Sequence, residues 1–167
     1  MKRIPLSQHR FAIVDDEDFE RVNKIKWYCR NYRHTCYAIH TLNKTKTAFR
    51  MHRFIMDVSD PKIYIDHINR NGLDNRKKNL RTSNHKQNSR NRAIQIKNTS
   101  GYRGVYKAKN TTSKIWKAQI QDLDGKRLGL GYFETPEEAS KVYDMAAIKI
   151  YGEFYGKLNM DMYNPNK

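Results

Sequence analysis

Cysteine, acidic residues and long apolar runs are all scarce in this chain. Cys29 and Cys36 are the only cysteines among 167 residues, too few for a disulfide framework. They read as reduced thiols. A zinc site drawn with His34 and His40 fits no common ligand spacing. No apolar run approaches the ~18 residues of a membrane span. The basic start, MKRIPLSQHRF, has no apolar core of the kind a secretory signal carries, so a cytoplasmic protein with no membrane partner is expected. No heptad or large apolar stripe asks for a second copy, and a monomer is expected. Only 17 Asp and Glu oppose 33 Lys and Arg.

That shortage of acid leaves a net charge of +16 and a pI near 9.9, with a mean hydropathy of −0.96. One or two small domains fit the length. The charge points to a polyanionic partner rather than to a fold. It is also unevenly spread: Arg70 to Lys109 holds twelve basic residues and one acid, Asp74, while acids gather at Asp15–Glu20 and Glu134–Glu138. A solvated face interleaves both signs; a one-signed middle is what a nucleic-acid backbone attracts.

The stretch with most chemistry is YIDHINRNGLDNRKKNLRTSNHKQNSRN, residues 64–91. A short apolar run ends in Asp66-His67. A loop rich in Asn, Gly and Asp follows, then Leu80-Arg81-Thr82 and a polar segment able to form a helix from Ser83, with Thr82 or Ser83 as cap. Asn84, Asn88 and Asn91, spaced by four and three, share one helical face. Asp66 can supply a hard oxygen to a divalent cation, and the Asn88 carboxamide can complete the protein's share of its shell. The imidazole of His67 can take a proton from water near neutral pH. Asn69, Asn71, Asp74 and Asn75 suit turn positions.

These residues resemble the HNH nuclease family, in the version found in phage and intron-associated homing endonucleases. The resemblance implies a ββα-metal module over 63–91, in which strand, loop, strand and helix enclose one Mg2+ or Mn2+. It implies Asp66 and Asn88 as metal ligands, His67 as general base, and Asn79 as the asparagine that ties the loop. His85 lies close enough in sequence to compete for the metal.

Upstream, residues 1–63 read as mixed α+β. Phe11–Val14 suits a strand. Asp15 or Asp16 can cap a helix with Phe19, Val22 and Ile25 on its apolar side. Residues 37–41 and 45–49 can pair around Asn43-Lys44. Met51, Phe54 and Ile55 suggest a short helix, in which His52 reads as structural. Downstream, 93–100 reads as a basic linker, 101–160 as a second unit and 161–167 as a tail.

In that second unit, 102–108, 115–123 and 127–133 read as strands, with Trp116, Ala118 and Ile120 facing inward. Asp124-Gly125 signals a tight turn. Thr135-Pro136-Glu137-Glu138 opens a helix with an apolar stripe from Ala139 to Ile150, and Gly152 can end it. The YRGV, LG-F, EEA-YD-AA and G-KLN elements resemble the APETALA/ethylene-response-factor DNA-binding domain. That implies a three-stranded antiparallel sheet, packed on one helix, that enters the major groove of double-stranded DNA. Arg103 and Arg127 match DNA-touching arginines of that family; Tyr106, Ala108, Gln119, Gln121 and Gly129 depart from it, so base preference should differ.

The expected whole is an α+β endonuclease for duplex DNA. Its expected DNA contacts in the basic middle are Arg70, Arg76, Lys77, Lys78, Arg81, Arg90 and Arg92. Those in the second unit are Arg103, Tyr106, Lys107, Lys117, Gln119, Gln121 and Arg127. A DNA-binding regulator that does not cut is the alternative, and an RNA-binding module fits the charge alone.

Overall fold

A computed structural model describes residues 1–32, 35–41, 48–91, 98–109 and 115–162. His34, the Asn43-Lys44 turn, Arg92 and most of the 93–100 linker lie outside them. The fold is mixed α+β with several small antiparallel sheets. It divides into two compact units, Met1–Ser89 and Arg90–Lys167. No helix among the described residues is long and apolar enough to cross a membrane.

The first unit opens with β1 (Lys2–Pro5) and β2 (Phe11–Val14), paired antiparallel with Lys2 opposite Val14. Gln8 and His9 both take positive φ (62° and 52°) between them, as primed hairpin turns require. Helix α1 (Asp16–Asn23) buries Val22, but Ile25 lies beyond its end. Asp15 precedes the helix without capping it; its carboxylate accepts the amide of Lys77 instead, at 2.8 Å. Strands β3 (Tyr28–Tyr32), β4 (Thr35–Thr41) and β5 (Ala48–Arg50) form a sheet in that order, and α2 (Met51–Ile55) follows. Then come β6 (Tyr64–His67), β7 (Leu80–Ser83) and α3 (His85–Arg90).

Ile4, Val14, Val22, Trp27, Met51, Ile55 and Leu80 meet in one core. Each aliphatic side chain of that size contributes about 1.5–3 kcal/mol by leaving water. Leu80 pairs with His67 across β6 and β7, so the core anchors the strand end that carries Asp66 and His67. Thr82 and Ser83 are strand residues and cap nothing. The cap is Asn84, whose carboxamide oxygen accepts Gln87 N at 2.9 Å while Gln87 Oε1 accepts Asn84 N at 2.8 Å. The helix is therefore shorter than the spacing of asparagines suggests by one residue at each end, with Asn84 before it and Asn91 after it.

The second unit has β8 (Val105–Lys107), β9 (Trp116–Gln121) and β10 (Arg127–Phe133) in the order β10-β9-β8, with α4 (Pro136–Tyr151) packed on one face. β8 is shorter than the expected 102–108 because Asn98 and Ser100 draw residues 98–105 into turns; Ser100 Oγ donates to Val105 O at 2.8 Å. Gly104 has φ +71°, and a Cβ there would meet the Tyr143 ring at 2.1 Å. Asp124-Gly125 is not a two-residue turn. Asp122 closes a longer loop by accepting the amides of Asp124 and Lys126, at 3.0 and 2.8 Å. Thr135 Oγ1 accepts Glu138 N, and Ala139, Tyr143 and Ala147 form the buried stripe of α4. Asp144, fully buried, accepts the amides of Asn159 and Met160 at 2.9 Å each. Asn159 in turn accepts Arg103 N and donates to Arg103 O, which ties the end of the unit to its start.

Candidate active site

Successive residues of a strand face opposite sides. At the end of β6 this sends Asp66 one way and His67 the other, both almost wholly buried. Asp66 Oδ2 accepts Arg81 Nη2 at 2.9 Å and Nε at 3.1 Å from the cross-strand partner. His67 meets the His52 ring edge-on at 4.9 Å and the Tyr37 ring at 5.7 Å. Its Nε2 lies 3.4 Å from Asn75 Oδ1. With Nε2 carrying the proton and donating to that oxygen, the ring's lone pair sits on Nδ1.

Burial pushes the His67 pKa below its ordinary 6.5, against the Asn75 hydrogen bond and the charges of Asp66 and Asp74 that pull it up; Arg50 adds to the downward push. The ring is therefore neutral at pH 7. His52 is driven further, to about 2, by burial first and then by His67, Arg50 and Arg53. Tyr37 completes the group, its hydroxyl pushed up by burial.

The loop between β6 and β7 is held by its own asparagines. Asn79 Oδ1 accepts Asn69 N at 3.0 Å, and Asn79 Nδ2 donates to Asp74 O at 2.7 Å. Asn69 and Asn71 each accept the amide two residues on, the Asx turns their side chains favour. Asp74 does not cap: its two oxygens take Arg76 Nε and Nη2 at 2.7 Å each, and Arg76 holds its pKa low. The loop is docked as well as closed. Ile13 N donates to Leu73 O and Asn75 N to Ile13 O, extending the β1-β2 sheet. Gly72 lies so near β4 that a Cβ would sit 2.3 Å from Cys36 O.

These contacts hold His67 and Asn79 to one loop, while Asp66, on the other face of β6, is held by Arg81. Asn88 stands half-buried within α3, its backbone amide bonded to Asn84 O. His85 packs on Tyr64, at the opposite end of β6 from His67. Asp66 and Asn88 offer a carboxylate and a carboxamide oxygen, donors suited better to a hard cation than to zinc. Among the described residues no three His, Cys, Asp or Glu side chains come together as a metal-binding group. Sequence reading took His52 as structural, in keeping with its burial, but missed that His52 and Asn75 both contact His67. The signal for Asn75 was its place in an asparagine-rich loop, which suggested only a turn.

The expected DNA contacts divide by what already holds them. Arg76, Lys77 and Arg81 are paired with Asp74, Glu17 and Asp66. Arg90 stacks over Tyr151 at 4.0 Å and its carbonyl accepts Arg103 Nη1. Lys78, Tyr106, Lys107, Gln121 and Arg127 are exposed; Arg70, Lys117 and Gln119 are half-buried, with Lys117 5.7 Å from the Tyr132 ring. Cys36 accepts Arg10 Nη1 at 2.8 Å, and both cysteines are free thiols.

No family model matches the chain. It is 30% identical over 152 residues to a protein of Acanthamoeba polyphaga mimivirus named as an uncharacterized HNH endonuclease, a match spanning 90% of this chain and 76% of that protein. Shared identity over most of both chains, together with an Asp-His strand end and an asparagine-tied loop, places this chain in the HNH endonuclease family.

Proposed function

We propose that this protein is a divalent-metal-dependent, sequence-selective endonuclease of the homing type that hydrolyses phosphodiester bonds of duplex DNA as a monomer. β6, the loop, β7 and α3 act as its ββα-metal module. The observation that carries this reading is His67: a buried, neutral imidazole that follows a buried carboxylate along β6, with Asn75 at its Nε2 and Asn79 holding the loop shut.

In this reading Nδ1 of His67 takes a proton from the water that attacks phosphorus. The bond from phosphorus to the 3′ oxygen breaks, and a 5′ phosphate remains. Asp66 and Asn88 would hold one cation, Mg2+ or Mn2+, as their oxygen donors suit. When bound, that ion offsets the charge that builds on the phosphate and on the departing oxygen. Asn79 acts through loop closure, which keeps His67 aimed.

Residues 1–92 then form the nuclease part, 93–100 a basic link and 101–160 the reader, resembling the ethylene-response-factor domain. The exposed side of β8, β9 and β10, with Tyr106, Lys117, Gln119, Gln121 and Arg127, supports docking in the major groove, because α4 covers the other side. Arginine there favours guanine and glutamine favours adenine.

The test is supercoiled plasmid incubated with the protein and Mg2+, with and without chelator. Nicking that stops on chelation, and that falls about 100-fold or more in His67→Ala with DNA affinity kept, is the expected result. DNA binding with no nicking at all would instead identify a regulator built on a nuclease frame.

A further inference from the structure

Several basic side chains of the first unit already have partners. Arg81 is held by Asp66, Arg76 by Asp74, and Arg53 by the carbonyls of Asp60 and Ile63. Arg50 differs. It is exposed at the junction of β5 and α2, and among the described residues it forms no ion pair with a carboxylate. Two rings hold it instead. Its guanidinium carbon lies 5.1 Å from the centre of Tyr37 and 5.6 Å from that of Tyr32. The strand register explains the grouping: Arg50 is opposite Ile39, Tyr37 opposite Arg30 and Tyr32 opposite Thr35, so all three point to one face of the sheet.

Tyr37 is also the ring that touches His67 and His52, at 5.7 and 5.6 Å. One aromatic ring therefore separates the Arg50 guanidinium from the imidazole. A guanidinium resting on aromatic faces keeps its in-plane N–H edge available and loses little further freedom when that edge is used. A cation without a carboxylate, beside two buried imidazoles, is suited to an anion that arrives from outside.

We propose that Arg50 binds the non-bridging oxygens of the phosphodiester attacked at His67. Tyr32 and Tyr37 act as positioning residues that orient its fork. This inference rests on the nuclease reading above and adds to it the group that grips the scissile phosphate. A planar fork with parallel N–H donors matches two phosphate oxygens, and contact with charge that develops in the transition state acts on the rate more than on binding.

The experiment compares wild type, Arg50→Ala, Arg50→Lys and His67→Ala on one duplex, measuring DNA affinity and the cleavage rate at saturating protein. Arg50→Ala should lower the rate about 100-fold with affinity changed less than about fivefold. Arg50→Lys, which keeps charge without the fork, should fall between it and wild type. Added guanidinium ion should restore part of the Arg50→Ala rate, relative to sodium at equal ionic strength, and none of the His67→Ala rate. If Arg50→Ala melts early, the Lys variant and its intermediate rate carry the test. Arg50 variants that cut at the wild-type rate, or that lose only affinity, overturn the inference and leave the nuclease reading intact. Wild-type protein that binds duplex without cutting it overturns the nuclease reading itself.

Discussion

Replacing His52 with leucine removes a proton-accepting group from the interior of the first unit and should flatten its stability against pH. His52 is 3% exposed and is held near a pKa of about 2, whereas an unfolded chain binds the same proton at 6.5. The unfolded state therefore binds more protons than the folded state between these values. The stability contribution is complete above pH 6.5 and is lost progressively as pH falls toward about 2. At about pH 5 the loss from this one residue is about 2 kcal/mol, from roughly 1.4 kcal/mol per pH unit. His67 adds a loss of the same sign, since its pKa is lowered too. The assay is urea unfolding at a series of pH values, followed by Trp27 fluorescence in a Trp116→Phe background, because Trp27 sits in the core of the first unit. The absolute stability of His52→Leu also reflects repacking against Tyr37 and His67; the slope is the quantity to read. A slope unchanged from wild type between about pH 6.5 and 5 refutes the reasoning, because His52 would then take up its proton as readily folded as unfolded.

Three further outcomes follow from the same geometry. Asn79→Ala deletes the acceptor for Asn69 N and the donor to Asp74 O inside a buried loop, and should cost about 2–4 kcal/mol in the urea midpoint of the first unit and slow cleavage with it. Asp144→Asn puts an amide where a fully buried carboxylate accepts the backbone of Asn159 and Met160; a loss of about 1–3 kcal/mol, read by Trp116 fluorescence, is expected in the second unit. DNA affinity should fall linearly on a plot of log affinity against log salt, and neutralising exposed Lys78 or Arg127 should reduce that slope by about one each if each contacts a phosphate. An unchanged slope removes that residue from the interface.

The parts of this fold that local pattern governs were legible before any coordinates. The alternation of Trp116, Ala118 and Ile120 gave β9, and the Thr135-Pro136 start gave α4. The turns at Asn69 and Asn71 were legible for the same reason, since Asx turns are encoded within two residues, whereas the tie at Asn79 came from the family resemblance. What stayed hidden depends on distant partners. β1 buries only Ile4, too little for an alternation to register. Asp15 looks like a helix cap until Lys77, sixty-two residues on, takes its carboxylate. Asp122 closes a loop whose Asp-Gly pair advertises a shorter one. His52 reads as an ordinary structural histidine because nothing local to Met51–Ile55 says that β6 ends against it.

On the nuclease reading, His52 and Asn75 also bear on how a base at His67 could be buried and still useful. An imidazole that titrates near 6.5 in water is partly protonated at neutral pH, and that fraction cannot accept a proton. Taking His67 out of water lowers that fraction by disfavouring the charged form, and the same burial drives the neighbouring His52 ring to the neutral form. The Asn75 carboxamide oxygen, 3.4 Å from Nε2, favours the tautomer with its proton on that nitrogen, and Asn75 is itself fixed through its backbone amide to Ile13 O in the neighbouring sheet. The cost of this arrangement is the acid-sensitive stability that His52→Leu is designed to measure. On the nuclease reading, the pressure that keeps His67 unprotonated for catalysis and the pressure that weakens the fold below pH 6.5 are one desolvation effect, so a variant that lets water reach His67 should gain acid stability and lose cleavage together.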